Sequence, residues 1–170
     1  MKALKKLRVI IIFINIIIFS VSLSADKNSI AINDKQLIDI VKREYPNLKI
    51  NDKHIFTADI NCDGYKDYAL YGQVNNFVKV VVIHGPIVNK NIFDTLKIRF
   101  GFSGYQDVVP GKKFYFSLES LDFDIEAAIG EVEGFQRSKV CKGLNISDGM
   151  TDSFHIYYDH KMKQLVWWRL

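Results

Sequence analysis

Residues 59 to 67 read Asp-Ile-Asn-Cys-Asp-Gly-Tyr-Lys-Asp, so oxygen-bearing side chains recur at every second position and a glycine follows the third. That spacing suits calcium, a hard cation that takes about 6–8 oxygen ligands. The side chains of Asp59, Asn61 and Asp63 would converge on one point. Gly64 stands where the chain must turn sharply, in a conformation that a Cβ opposes. Tyr65 would offer its backbone carbonyl, and Asp67 would reach the ion directly or through a water. The competing reading is a tight Asx-rich turn with no ion, because Asn and Asp bond their own backbone and tolerate left-handed conformations. Three carboxylates so close together repel one another in an empty turn, and Lys66 is the neighbouring cation.

The pattern departs from an EF-hand. Leu70 stands where the bidentate glutamate belongs, and the flanking stretches His54–Ala58 and Tyr68–Tyr71 are strand-like. The stretch resembles instead the D-x-[DN]-x-D-G-x-x-D loop of FG-GAP (integrin-propeller) repeats, which joins two strands. The resemblance implies calcium ligands at Asp59, Asn61, Asp63, the Tyr65 backbone and Asp67. It covers about a dozen residues and occurs once, whereas a propeller needs several blades of about 40 residues. It therefore extends to the loop and not to a propeller.

The elements that must position this loop follow from hydrophobic spacing. Leu37, Ile40, Val41 and Tyr45 share one face of a helix over Asp34–Tyr45. Asn33 suits the N-cap, Gln36 completes a capping box, Ile32 with Leu37 forms a staple, and Pro46 ends the helix. Beyond it, strands are expected at Ile55–Ala58, Tyr68–Val74, Phe77–His84, Thr95–Phe100, Phe114–Leu118, Ser153–Tyr158 and Leu165–Arg169. Asn75-Asn76 and Asp159-His160-Lys161 read as hairpin turns. Phe77–His84 is nearly continuous in apolar character, as a central strand should be. Gly101–Gly104 and Pro110-Gly111 read as loops, and Leu121–Ile129 as either a short helix or an acidic-faced strand. The expected class is α+β: one N-terminal amphipathic helix packed on a mainly antiparallel β-sheet.

The first 25 residues read as a secretory signal: Lys2, Lys5, Lys6 and Arg8, then an apolar run from Val9 to Phe19, then small residues ending at Ser24-Ala25. The run is shorter than the ~20 residues a spanning helix prefers, so no stable membrane anchor is expected after cleavage. The chain's 23 Lys and Arg include these four, whereas all 19 Asp and Glu lie beyond the segment, so the mature part carries no net charge. That removes the electrostatic case for nucleic-acid binding. Residues 26–170 are expected to form a single domain, a monomer, in the periplasm or secreted.

Cys62 and Cys141 are the one cysteine pair. In an oxidising compartment a disulfide is the default, with free thiols or an intermolecular bridge as alternatives. A Cys62–Cys141 bond would fasten Cys141–Asp152, a polar, turn-rich stretch, beside the loop. Asp148 or Asp152 could then add a ligand there, or the stretch is a long hairpin connection held by the bond.

Of the four histidines, His54 opens a strand, His84 ends one, His155 alternates with core residues and His160 lies in a turn. None has a metal-site or paired catalytic spacing. Asp122 and Asp124 could do acid–base work, though alternating acids on a strand usually face water. Adjacent Trp167 and Trp168 must point to opposite faces, which lets one contribute to a surface. The function expected is that of an exported, bacterial-type binding protein, inhibitor- or immunity-like, whose partner is another protein or a cell-surface component. Its calcium would be structural. The alternative is a small secreted hydrolase using His155 or His84 with a nearby acid.

Overall fold

In the computed structural model, residues 32–87, 92–100, 113–125 and 130–169 are described. The expected signal segment, the loops at 101–104 and 110–111, and the end of the Leu121–Ile129 stretch lie outside them. Helix α1 spans Asp34–Glu44, and its N-terminus is closed by a capping box: the Asn33 side chain accepts from the Gln36 N–H at 2.9 Å, and the Gln36 side chain accepts from the Asn33 N–H at 3.0 Å. Strands follow at β1 (Lys49–Ile50), β2 (Phe56–Ala58), β3 (Asp67–Val74), β4 (Phe77–His84) and β5 (Ile92–Ile98). The chain then forms β6 (Tyr115–Leu121), β7 (Ser138–Ser147), β8 (Phe154–Asp159) and β9 (Gln164–Trp168).

Every pairing among these strands is antiparallel, and they build two sheets. In the first, β3, β4 and β5 lie side by side, while β1 and β2 share the outer edge of β3; the second runs β6-β7-β8-β9. The inner faces meet in one apolar core. Ala69, Tyr71, Val78, Val80, Val82 and Ile98 come from the first sheet, and Phe116, Leu144, Ile146, Phe154, Ile156 and Leu165 from the second. Tyr71 pins the layers, donating its hydroxyl to the Phe114 carbonyl at 3.1 Å and accepting from Asn51 Nδ2 at 2.6 Å. On the other face of the first sheet, Leu70, Val81 and Ile83 are buried with Leu37 and Val41 of α1. β4 is therefore covered on both faces, which accounts for its unbroken apolar run.

The expected α+β class, an N-terminal amphipathic helix on one sheet, is overturned. The molecule is dominated by two stacked antiparallel sheets, and its one helix among the described residues is a short cap of 11 residues. The error lies in β7. Its ten residues run through Cys141–Ser147, a stretch whose polar, turn-rich composition predicts a connection. Gly143, Asn145 and Ser147 look like turn residues. They are instead the positions that alternate with the buried Leu144 and Ile146 in a strand paired on both sides. Once β7 is recognised, β6, β8 and β9 have a sheet of their own.

Candidate functional site

The loop from Asp59 to Lys66 joins β2 to β3 and folds around its own carboxylates. Asp59 Oδ2 accepts from the Gly64 N–H at 3.0 Å, Asn61 Oδ1 from the Asp63 N–H at 3.2 Å, and Asp63 Oδ1 from the Tyr65 N–H at 2.8 Å. Asn61 Nδ2 also donates to Asp63 Oδ2 at 3.0 Å. Gly64 has φ 84° and Cys62 φ 58°. At Cys62 a side chain endures the left-handed conformation, which disfavours a Cβ. That side chain is tied: Cys62 and Cys141 form a disulfide with their Cα atoms 5.5 Å apart. Beside the bond, the Lys142 N–H donates to the Asp59 carbonyl at 2.9 Å. The loop of the first sheet is thus fastened to the start of β7 in the second.

Asp67 is fully buried and serves as the hub that holds the loop. Its Oδ2 accepts from the Ile60 N–H at 2.8 Å and the Asn61 N–H at 3.3 Å, and its Oδ1 from the Gly85 N–H at 3.0 Å. His84 Nδ1 lies 3.3 Å from the same Oδ1, near enough for charge attraction though not aligned for a hydrogen bond. On its other side, His84 Nε2 meets Asp94 Oδ2 at 2.8 Å, and the ring stands edge-on to Tyr158 at 5.8 Å. Burial alone would lower the pKa of His84; the adjacent carboxylates of Asp67 and Asp94 outweigh it and raise it to about 9. The ring stands between two acids, with Nε2 hydrogen-bonded to Asp94 and Nδ1 facing the Asp67 carboxylate.

Asp59, Asn61, Asp63 and Tyr65 share the loop, whereas Asp67 spends its acceptor capacity on N–H groups and His84. Asp67 could bind an ion directly only by giving up some of these bonds. Asp59 points the other way: its Oδ1 is buried with no hydrogen-bond partner. Its pKa is raised, by burial first and also by the charges of Asp67 and Asp63, against the lowering effect of the Gly64 N–H. Such an oxygen lacks a hydrogen-bond donor or a cation. Among the described residues, no cluster of three or more His, Cys, Asp or Glu is arranged to hold a metal. A loop ligand set here would therefore draw on Asn61 and backbone carbonyls.

Asp148 does not join the loop. Its Oδ1 accepts from the Met150 N–H, the Thr151 N–H and the Thr151 hydroxyl at 2.9–3.0 Å, closing a turn beyond the far end of β7. Seven residues along a strand from Cys141 place it roughly 23 Å from the disulfide, at ~3.3 Å per residue. Asp152 follows that same turn. Asp122 accepts from Arg137 Nε at 2.8 Å, an exposed ion pair. His54 lies against Tyr71, and His160 against Tyr158.

His155 is the histidine set in a surface. On the outer face of the second sheet it stacks on Trp168, with ring centres 4.0 Å apart and planes within 8°. Its Nδ1 lies 2.7 Å from Glu119 Oε1 and 3.3 Å from Asn145 Nδ2. The shorter contact sets the tautomer, with Nδ1–H donating to Glu119. Glu119, Asn145, His155 and Trp168 come from β6, β7, β8 and β9 in turn; the last three are direct cross-strand partners, and Glu119, opposite Gly143, reaches His155 diagonally, so the row crosses the sheet with one step of two residues. The segment 132–135 covers the adjoining part of this face, where Val132, Phe135 and Trp168 itself pack on Leu121, Cys141 and Tyr157. Glu119 and Asn145 had escaped the sequence reading because nothing in the chain announces the β6–β7–β8 register. The outward alternation of His155 was the available signal.

Known proteins offer no guide to this site. No family model, curated protein or solved structure matches the chain.

Proposed function

We propose that this chain is an exported binding protein that recognises another protein or a cell-surface component through the outer face of its second sheet. A structural calcium ion in the 59–67 loop would steady the edge of the fold. The observation that carries the reading is the row of Glu119, Asn145, His155 and Trp168. It is a flat, partly exposed aromatic and polar surface, extended by Tyr115, which is 73% exposed. Aromatic anchors with polar neighbours suit recognition, whereas a catalyst would gather its groups in a cleft. The basic and apolar N-terminal segment supports export, and the disulfide suits an oxidising compartment. For the ion, the support is the partnerless Asp59 Oδ1. Asp59, Asn61, Asp63 and the Tyr65 carbonyl would hold it, with Asp67 bracing the loop from beneath.

The test is capture from envelope extracts by the mature protein and by Trp168→Ala, each with calcium and with chelator. A partner retained by the wild type and lost by the variant is expected; equal capture by both removes this face from the proposal. For the ion, millimolar calcium should raise the melting temperature of the wild type and leave Asp63→Ala unmoved. At a hundredfold excess over Kd the gain is about 2.7 kcal/mol. Identical melting in calcium and chelator would leave an Asx turn without an ion. The 2.7 Å contact between His155 and Glu119 favours a second reading, the small hydrolase, with Glu119 as the acid. Turnover of ester or peptide substrates that disappears in His155→Ala would establish it.

A further inference from the structure

The face of the first sheet that carries α1 continues beyond the helix's end as a cluster of cations and rings. Lys79 of β4 and Lys97 of β5 are direct cross-strand partners, so both side chains leave the sheet on this face. Lys79 Nζ lies 4.0 Å from the centre of the Tyr45 ring. The Arg99 guanidinium lies 4.4 Å, and Lys97 Nζ 6.0 Å, from the centre of the Phe77 ring. Among the described residues none of these three cations forms an ion pair. Arg99 Nε is buried with no hydrogen-bond partner. Beside Lys79 opens a groove of about 220 Å³, whose lining includes Glu44, Tyr45, Pro46, Leu48 and Val74.

A merely solvated strand face would not look like this. Lysines on such a face extend into water, and opposite charges, rather than like ones, are placed across from each other. Here the Lys79 amine is drawn in against a ring, and burial followed by the charge of Lys97 lowers its pKa. Glu44 is the one acid in the groove lining. Lys79 has one carboxylate, Glu44, in its groove and a like charge, Lys97, across the strands, and Arg99 Nε lacks an acceptor. An oxyanion supplies counter-charge and acceptor together. The apolar wall beside Lys79 would remain wet under a bare inorganic ion and would be covered by an attached hydrocarbon stem.

We infer that this groove binds a small amphiphilic anion: a carboxylate, sulfate or phosphate head at Lys79, with Lys97 and Arg99 outside the groove's lining on the same face of the sheet, and an apolar stem along Tyr45, Pro46, Leu48 and Val74. The site lies on the first sheet and is independent of the recognition face on the second. Its occupant is defined by two features together, negative charge and an apolar body. Neither alone satisfies the groove.

Calorimetric titration at low salt tests this with hexanoate, hexyl sulfate and hexyl phosphate as probes, against inorganic phosphate and hexanol. At least one hexyl anion should bind, with hexanol and inorganic phosphate each weaker by about tenfold or more, which is one 1.4 kcal/mol step in affinity. The double variant K79M/K97Q should lose about tenfold or more for the tightest probe. It keeps an unbranched side chain at both positions and removes the opposed charges, so it should melt no lower than the wild type. Lys97→Gln alone should give a smaller loss of the same sign. No binding of any hexyl anion at about 5 mM, hexanol binding as tightly as the anions, or a folded double variant with wild-type affinity would each overturn the inference.

Discussion

At His84 a single ring, 7% exposed, stands between Asp67 and Asp94. Its pKa of about 9 in the fold lies above the ordinary 6.5, so the folded state holds the proton more tightly than the unfolded chain does. The resulting stability is fully present below pH 6.5 and is lost as pH rises through about 9, a change on the order of 3 kcal/mol. Urea unfolding at about pH 6 and about pH 9.5 should show that loss in the wild type, and His84→Gln should flatten it. An unchanged pH dependence in the variant would assign the loss to other groups. The acids of the loop were legible in the sequence because they follow one another at fixed spacing. Asp94 was not. It reaches His84 only through the β4–β5 register, and no local pattern reports which residues two strands bring together.

Among the elements, β4 and β7 mark the two limits of legibility. β4 shows itself by composition, since both of its faces are covered and the apolar run cannot be mistaken. β7 is masked by its glycine and asparagine, although Leu144 and Ile146 carry the period of two. Gly143 is there for closeness. A Cβ on it would stand 2.8 Å from the Ile156 carbonyl oxygen and 2.8 Å from Leu121 Cδ2. The leucine can swing aside, but the carbonyl belongs to the backbone of β8. Gly143→Ala should therefore destabilise the fold by about 1–3 kcal/mol, as overpacking does. Chemical denaturation would measure it, and a midpoint equal to that of the wild type would mean that β7 and β8 separate without cost.

For the whole molecule, the strands of the first sheet were largely anticipated, yet the arrangement of layers was not. Layering depends on which strands pair at long range, and a single strand mistaken for a connection merges two sheets into one. The cysteines were more informative. One pair in a chain with an export-like leader led to the expected bond, and the bond joins the two layers. With its ends 79 positions apart in sequence, it should stabilise the fold by about 4.5 kcal/mol in the chain-entropy description. Unfolding of the C62S/C141S variant should reveal a loss of that order.

The same bond turns the middle of the chain into a closed ring. β3 to β6 lie inside it, while α1, β1 and β2 on one side, and β8, β9 and most of β7 on the other, form the two free arms. A force applied through the two ends passes across the sulfurs and never loads the ring. The central strand β4 is thus shielded from tension even when every other contact has been torn away. Stretched to its limit, the oxidised molecule should fall short of the reduced one by about 270 Å, the length of the 79 residue steps from Cys62 to Cys141 at ~3.4 Å each. Single-molecule pulling with and without reductant reads that difference directly, and equal lengths would mean that the ring is open.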